Sequence, residues 1–158
     1  MPTHRLSRSA FERLQAEHLD LTTRGRIEVA QKIQRAREMG DLKENGDYHA
    51  AKDEQGHMEG RIRQLESMLE NAEIIEASAS GTVDLGCIVA IVYEGDDDDM
   101  AERYLIGHVE EKPADPRVSV MSPSSPLGAA LIGSATGATV SYQAPNGTLT
   151  VRVVSIEF

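Results

Sequence analysis

Tyr48, Ala51, Gln55, Met58, Ile62, Leu65, Leu69 and Ala72 recur at steps of three and four. A stripe kept in phase for more than three heptads, with one polar member, has no use on a strand. It predicts a helix that lays one face against another helix. The partner is upstream. No Pro occurs from Ser9 to Arg37, and Phe11, Leu14, His18 and Leu21 form a second stripe, which slips through Gly25 and resumes at Val29, Ile33 and Ala36. Four-residue steps in a row (21, 25, 29, 33) are a stutter, which locally unwinds a supercoil. Gly25 adds a weak point there, costing about 1 kcal/mol relative to Ala. Ser9 and Glu12 have the spacing of a capping box for the first turn.

Between the two stripes stands Met39-Gly40-Asp41-Leu42-Lys43-Glu44-Asn45-Gly46-Asp47-Tyr48, with two glycines, three acids and little that packs. So short a link makes the helices antiparallel neighbours. About 30 residues per helix give an arm of roughly 45 Å at 1.5 Å rise. An arm that thin projects a free tip or packs on a partner. Asp41 and Glu44 at that tip have two readings. Asp-x-x-Glu ahead of a helix is a capping pattern that also suits the helix dipole. Two hard oxygen donors between bendable glycines also suit completing the shell of a Mg²⁺ held mainly by something else. The cations Lys32, Arg35, Arg37, Lys43 and Lys52 surround the tip. They form either a solvated face paired with Asp53 and Glu54 or a positive patch for a nucleic-acid end. His49 and His57, eight apart, lack the further ligands of a zinc site, and His18 reads as a polar residue tolerated in the coil.

The charge balance narrows the partners. The net charge of −10 excludes a general nucleic-acid binder, because phosphate binding needs a basic surface. Residues 1–46 carry net +2, however, against −5 for 47–76 and −7 for 77–158. Cys87 is the single cysteine, which fits a reducing compartment. No apolar run approaches the ~18 residues of a membrane span, and Met1–Leu14 has no continuous apolar core of a signal peptide. The expected setting is the cytoplasm, without a membrane. No G-x-S-x-G, P-loop or His-Glu-x-x-His pattern is present, so no self-contained active site is expected.

The composition turns to small residues at Ala77-Ser78-Ala79-Ser80-Gly81, a domain boundary that separates residues 1–77 from 82–158. Beyond it the pattern predicts strands at Cys87–Tyr93, Arg103–Glu110, Arg117–Met121, Thr139–Ala144 and Thr148–Ile156. Pro145-Asn146-Gly147 marks a hairpin turn, and Ser125-Pro126 marks the start of a short helix. Asp96–Asp99 reads as a solvated loop. The fold class is α+β: an N-terminal antiparallel coiled-coil hairpin followed by a small antiparallel β domain with one short helix.

Gly40-Asp41-Leu42-Lys43-Glu44-Asn45-Gly46-Asp47-Tyr48-His49-Ala50-Ala51-Lys52, then Gln55 and Glu59-Gly60-Arg61-Ile62, resembles the signature of bacterial transcript-cleavage factors of the GreA type, the GreA/GreB family. Ser125-Pro126-Leu127-Gly128, Leu131-Ile132-Gly133, Pro145-Asn146-Gly147 and Val151–Ile156 extend the likeness over nearly the whole chain. The resemblance implies an FK506-binding-protein-like C-terminal domain docked at the rim of the secondary channel of bacterial RNA polymerase, and a hairpin reaching the active centre. It implies that Asp41 and Glu44 are the catalytic and metal-holding acids, acting on the polymerase's Mg²⁺ with no cofactor of the chain's own. They would stimulate hydrolysis of backtracked RNA at the nascent 3′ end. Arg37 and Lys52 correspond to its RNA- and polymerase-binding basic patch, and Ser125 and Pro126 to its docking region.

Gly46 and Asp47 depart mildly from the family pattern, as does Gly25-Arg26 in place of a common Arg-Pro. The C-terminal domain resembles a prolyl isomerase, but the chain lacks Trp and has only two Phe, so neither an aromatic pocket nor isomerase activity is expected. The implied protein is a monomeric elongation factor that is not itself an enzyme. Two alternatives remain: an inhibitor of polymerase on the same scaffold, and a coiled-coil adaptor or holdase without chemistry.

Overall fold

A computed structural model describes residues 2–40, 45–77 and 79–158. The chain divides into two compact units, one of Met1–His4 with Phe11–Ala72 and the other of Arg5–Ala10 with Glu73–Phe158.

The first unit is the helical hairpin. Helix α1 (Arg8–Asp20) runs through a π turn (Leu21–Gly25) into α2 (Arg26–Glu38), and α3 (Gly46–Glu70) returns. The apolar stripes meet as one seam. Leu14, Val29, Ile33 and Ala36 are buried from one side and Ala51, Ile62, Leu65 and Met68 from the other. Each fully buried large aliphatic contributes about 1.5–3 kcal/mol. The stripe of α3 drifts at its end, where Met68 is more buried than Leu69, and Ala72 has already left the helix.

The stutter resolves as the π turn. Steps of four advance the stripe by about 40° each on a 3.6-residue helix, and a wider turn absorbs that drift. The Arg26 N–H bonds Leu21 O, five residues back. Thr22 and Thr23 hydroxyls donate to His18 O at 2.8 Å and Leu19 O at 2.6 Å, occupying carbonyls that the regular ladder would use. Gly25 is packed there because a Cβ would stand 3.1 Å from Met58 Sδ.

Charged pairs flank the seam. Arg61 grips Glu17 at 2.8 and 2.9 Å, Arg26 grips Glu59 at 2.9 and 3.0 Å, and Lys32 meets Glu54 at 3.0 Å. The partners' numbers fall on one side as they rise on the other, which is the antiparallel register.

The second unit holds a five-stranded sheet of β3 (Ile88–Tyr93), β4 (Glu102–Ile106), β5 (Val118–Met121), β6 (Thr139–Ala144) and β7 (Gly147–Glu157) in the order β5-β4-β3-β7-β6. Three pairs are antiparallel, as expected. β4 and β5 are parallel, which the sequence reading does not contain. The reason is that β4 ends at Ile106, four residues before its predicted end, and the chain crosses through His108–Arg117 before entering β5 in the same direction. Helix α4 (Pro126–Leu131) covers one sheet face. Leu127 and Leu131 pack with Val89, Ile91, Ile106, Val151 and Val153 around buried Cys87. The Asp96–Asp99 loop is more structured than expected: Asp98 opens a 3-10 turn and its carboxylate pairs with Arg152.

Two features lie outside the sequence reading. β1 (His4–Ser7) pairs with β2 (Ala72–Ile75). The cap of α1 is Ser7 rather than Ser9, its hydroxyl accepting from the Ala10 N–H at 3.1 Å. Ser7 is itself held by Glu111, whose carboxylate accepts from the Ser7 hydroxyl at 2.5 Å and its N–H at 2.9 Å. That partner is 104 residues away, so local spacing could not have selected Ser7.

The seat of α4 yields a test. A Cβ on Gly128 would lie 2.1 Å from the Ser122 carbonyl oxygen. Gly128→Ala is therefore expected to lower stability by about 2 kcal/mol or more, read as a lower urea midpoint at unchanged slope.

Candidate functional site at the hairpin tip

The tip is built from two helix ends. Helix α2 closes with the Met39 N–H on Ala36 O at 3.2 Å, and Met39 is exposed. Helix α3 opens with Asn45 as its N-cap. The Asn45 Oδ1 accepts from the Tyr48 N–H at 3.1 Å, and its main-chain oxygen accepts from the His49 N–H at 3.2 Å. Its Nδ2 also donates to the Ala36 carbonyl of α2, so one side chain bonds both helices. Asp41 and Glu44 offer a capping pattern in the sequence, but α3 takes Asn45 as its cap. Asn equals Asp as an N-cap acceptor and adds an N–H₂ that a carboxylate lacks. Asp41, Lys43 and Glu44 lie outside the described residues.

The two sides of the hairpin below the tip differ electrostatically. On one, the Arg37 guanidinium lies over the Tyr48 ring, 5.7 Å from its centroid, and His49 meets that ring edge-on. Lys52 follows Tyr48 by one helical turn and donates to Gln55 Oε1 at 2.9 Å. Among the described residues neither Arg37 nor Lys52 forms an ion pair. On the other side a shallow groove of about 270 Å³ runs between Lys32, Arg35, Met39, Asp47 and Glu54. Lys32 is neutralised there by Glu54, while Arg35 turns back to Gln31 O at 3.4 Å. The expected cation pairing with Glu54 thus holds for Lys32 alone, and Asp53 takes none of these cations among the described residues.

Further along the arm, His18 is half-exposed and bonded to Glu66 at 3.1 Å. The Arg26 guanidinium holds the Glu59 carboxyl below the ordinary carboxylate range. No group of three or more His, Cys, Asp or Glu is placed to hold a metal ion among the described residues. Within them, no helix is long and apolar enough to cross a membrane.

In the second unit, Ser125 caps α4. Its hydroxyl accepts from the Gly128 N–H at 3.0 Å and donates to Ser122 O at 2.8 Å, with Pro126 exposed at the first helical position. Tyr93, Tyr104 and Tyr142 pack against the same core, with the Tyr93 and Tyr142 hydroxyls 3.3 Å apart. The Tyr142 hydroxyl, with burial, pushes the Tyr93 phenol up to about 12. Strand alternation brings these rings to one face although the chain has only four tyrosines. Asn45 and Tyr48 were legible only in part: Tyr48 belongs to the predicted stripe, but its stacking on Arg37 depends on the helix pairing.

The chain matches the family described as transcription elongation factor, N-terminal, over residues 4–74, and GreA/GreB, C-terminal, over residues 78–158. The transcription elongation factor GreA of Mycobacteroides abscessus is 47% identical over 154 residues, covering 96% of this chain and 93% of that protein. GreA of Mycobacterium tuberculosis is 46% identical with the same coverage. Among solved structures, the GreA factor homolog 1 protein of Thermus thermophilus is 27% identical, covers 99% of this chain and 100% of its own, and superposes with a TM-score of 0.44. Two family matches that together span both units, and relatives near half identity over almost the full length, place this chain in the GreA/GreB family of transcription elongation factors.

Proposed function

We propose that the chain enters the secondary channel of bacterial RNA polymerase and stimulates the polymerase's cleavage of backtracked nascent RNA. The observation that carries this reading is the end of the hairpin: the sequence between α2 and α3 carries Asp41 and Glu44, and the described ends of the two helices present two cations, Arg37 and Lys52, with no carboxylate partner among the described residues. Helix α3 alone has 25 residues, about 38 Å of reach at 1.5 Å per residue. A thin arm of that length suits delivery of ligands to a buried centre.

Asp41 and Glu44 are the proposed ligands. Their donor set fits Mg²⁺, a hard cation that takes carboxylate oxygens, but two carboxylates fill too few of its six positions to hold it alone. The cation is therefore the polymerase's, and the chain supplies no cofactor. When bound, that Mg²⁺ supplies a more acidic water and stabilises charge at the cleaved phosphodiester. Arg37 and Lys52 would meet RNA phosphates near the nascent 3′ end. The Tyr48 ring lies under the Arg37 guanidinium, 5.7 Å away, a contact that limits the positions from which the cation would reach a phosphate. The exposed start of α4 at Ser125 and Pro126 is the proposed docking point. The factor works as a cytoplasmic monomer, and the hydrolysis belongs to the polymerase.

A backtracked complex with end-labelled RNA tests this. Wild type is expected to shorten the RNA from its 3′ end, and Asp41→Ala/Glu44→Ala is expected to bind equally while losing at least about 100-fold in cleavage rate. Binding accompanied by slowed synthesis and no cleavage would make the chain an inhibitor instead.

Arg37→Ala/Lys52→Ala separates the basic face from the acids. Its thermal unfolding is expected to stay within about 0.5 kcal/mol of wild type, since neither side chain forms an ion pair among the described residues. Its cleavage should weaken and lose part of its salt dependence.

A further inference from the structure

Two rings and two cations gather where α2 ends and α3 begins. The Arg37 guanidinium stands 5.7 Å from the centroid of the Tyr48 ring. The His49 ring stands 5.7 Å from the same ring, inclined to it by 68°, an edge-on contact. Lys52 lies one turn further along α3, on the helix face shared with Tyr48 and His49. Neither cation has a carboxylate partner among the described residues.

The hairpin itself accounts for three of the four. Tyr48 is half-buried in the predicted stripe and packs on Arg37, and Lys52 donates to Gln55. His49 is different. It is exposed, and among the described residues its ring nitrogens make no hydrogen bond or ion pair. Helix α3 gains nothing from it: His is a middling helix former, and the first turn favours acids over a group that can become cationic. The Tyr48 contact limits the orientations of an imidazole that stays open to solvent.

A flat exposed ring between cations is a means of holding single-stranded nucleic acid. Every base has a π face to stack, and the cations meet the phosphates beside it. We infer that His49 is a base-stacking residue: an unpaired base of backtracked RNA lies on its imidazole while Arg37 and Lys52 take the adjoining phosphates. The inference rests on the cleavage reading above and adds to it a contact with the base. Stacking is tolerant of sequence, so the contact distinguishes unpaired RNA from its absence and does not select one nucleotide. His49 thereby gives the factor a preference for backtracked complexes over complexes that have not backtracked.

The test measures the affinity of the full-length protein for two halted polymerase complexes, one backtracked and one not. His49→Ala is expected to bind the backtracked complex about 5-fold to 100-fold more weakly than wild type and the other complex equally well. His49→Phe keeps a flat ring and is expected to bind both like wild type. Abasic nucleotides in the unpaired 3′ segment should weaken wild type by the factor that His49→Ala loses, and should leave His49→Ala unchanged. Melting temperatures of both variants are expected to match wild type. An equal loss on both complexes would make His49 a contact to the polymerase and overturns the inference. So does a loss that abasic RNA fails to reproduce, or one that His49→Phe fails to restore. If wild type neither prefers nor cleaves the backtracked complex, the cleavage reading has failed and takes the inference with it. If wild type cleaves and His49→Ala binds equally tightly, only the role of His49 is lost.

Discussion

The hairpin depends on one narrow seam. A pair of helices buries a single stripe from each, so the whole arm rests on residues such as Leu14, Val29, Ile33, Ile62 and Leu65 staying opposite one another. No third layer corrects a slip. The four-residue steps around Gly25 would carry the stripe off the seam, and the π turn brings it back. The two threonines and the glycine there are individually poor helix residues. Together they make the wide turn, since the hydroxyls take carbonyls and the missing Cβ admits Met58. The bidentate pairs Arg61–Glu17 and Arg26–Glu59 are worth little each at a surface, but they select the register in which both are made.

Electrostatic asymmetry follows from that register. Lys32 lies opposite Glu54 and is neutralised. Arg37 lies opposite Tyr48 and keeps its charge over an aromatic face. A chain of net charge −10 thereby retains a local positive edge on one side of the hairpin, which composition alone argues against. Asn45 then joins a local task, capping, to a tertiary one, closing the arm.

The second unit follows a different logic. Helix α4 covers one face of its sheet, and Gly128 has no room for a side chain because the Ser122 carbonyl of the turn before the helix would lie 2.1 Å from its Cβ. Surface pairs knit strands distant in sequence: Arg103 reaches both Asp115 and Glu157, and Asp98 pairs with Arg152. Arg117, with Arg103 behind it, holds the Asp115 carboxyl well below the usual carboxylate range. That contribution to stability is present above the ordinary carboxylate pKa and is lost as pH falls through the depressed value. Ser7 and Glu111 tie the N-terminal residues of this unit to the crossover after β4.

The sequence by itself determined the elements with a period or a punctuation mark. The stripes of both helices, the phase slip at Gly25, the apolar run of β3, the turn before β7 and the cap of α4 are local patterns whose physics acts within a few residues. The acidic tip and its neighbours Arg37 and Lys52 were legible as candidates for the same reason, as a run of unusual residues between two stripes. The tertiary structure decided which of these side chains meet. Ser7 replaced Ser9 as the cap because Glu111 holds it, β5 ran parallel to β4 because the connection crosses before returning, and three tyrosines converged because strand alternation sends them to one face. Asn45 looked like one polar residue among several in a turn; only the pairing of the helices put the Ala36 carbonyl within reach of its amide. Contacts between residues distant in sequence leave no local pattern to read, since their selection depends on how the chain closes on itself.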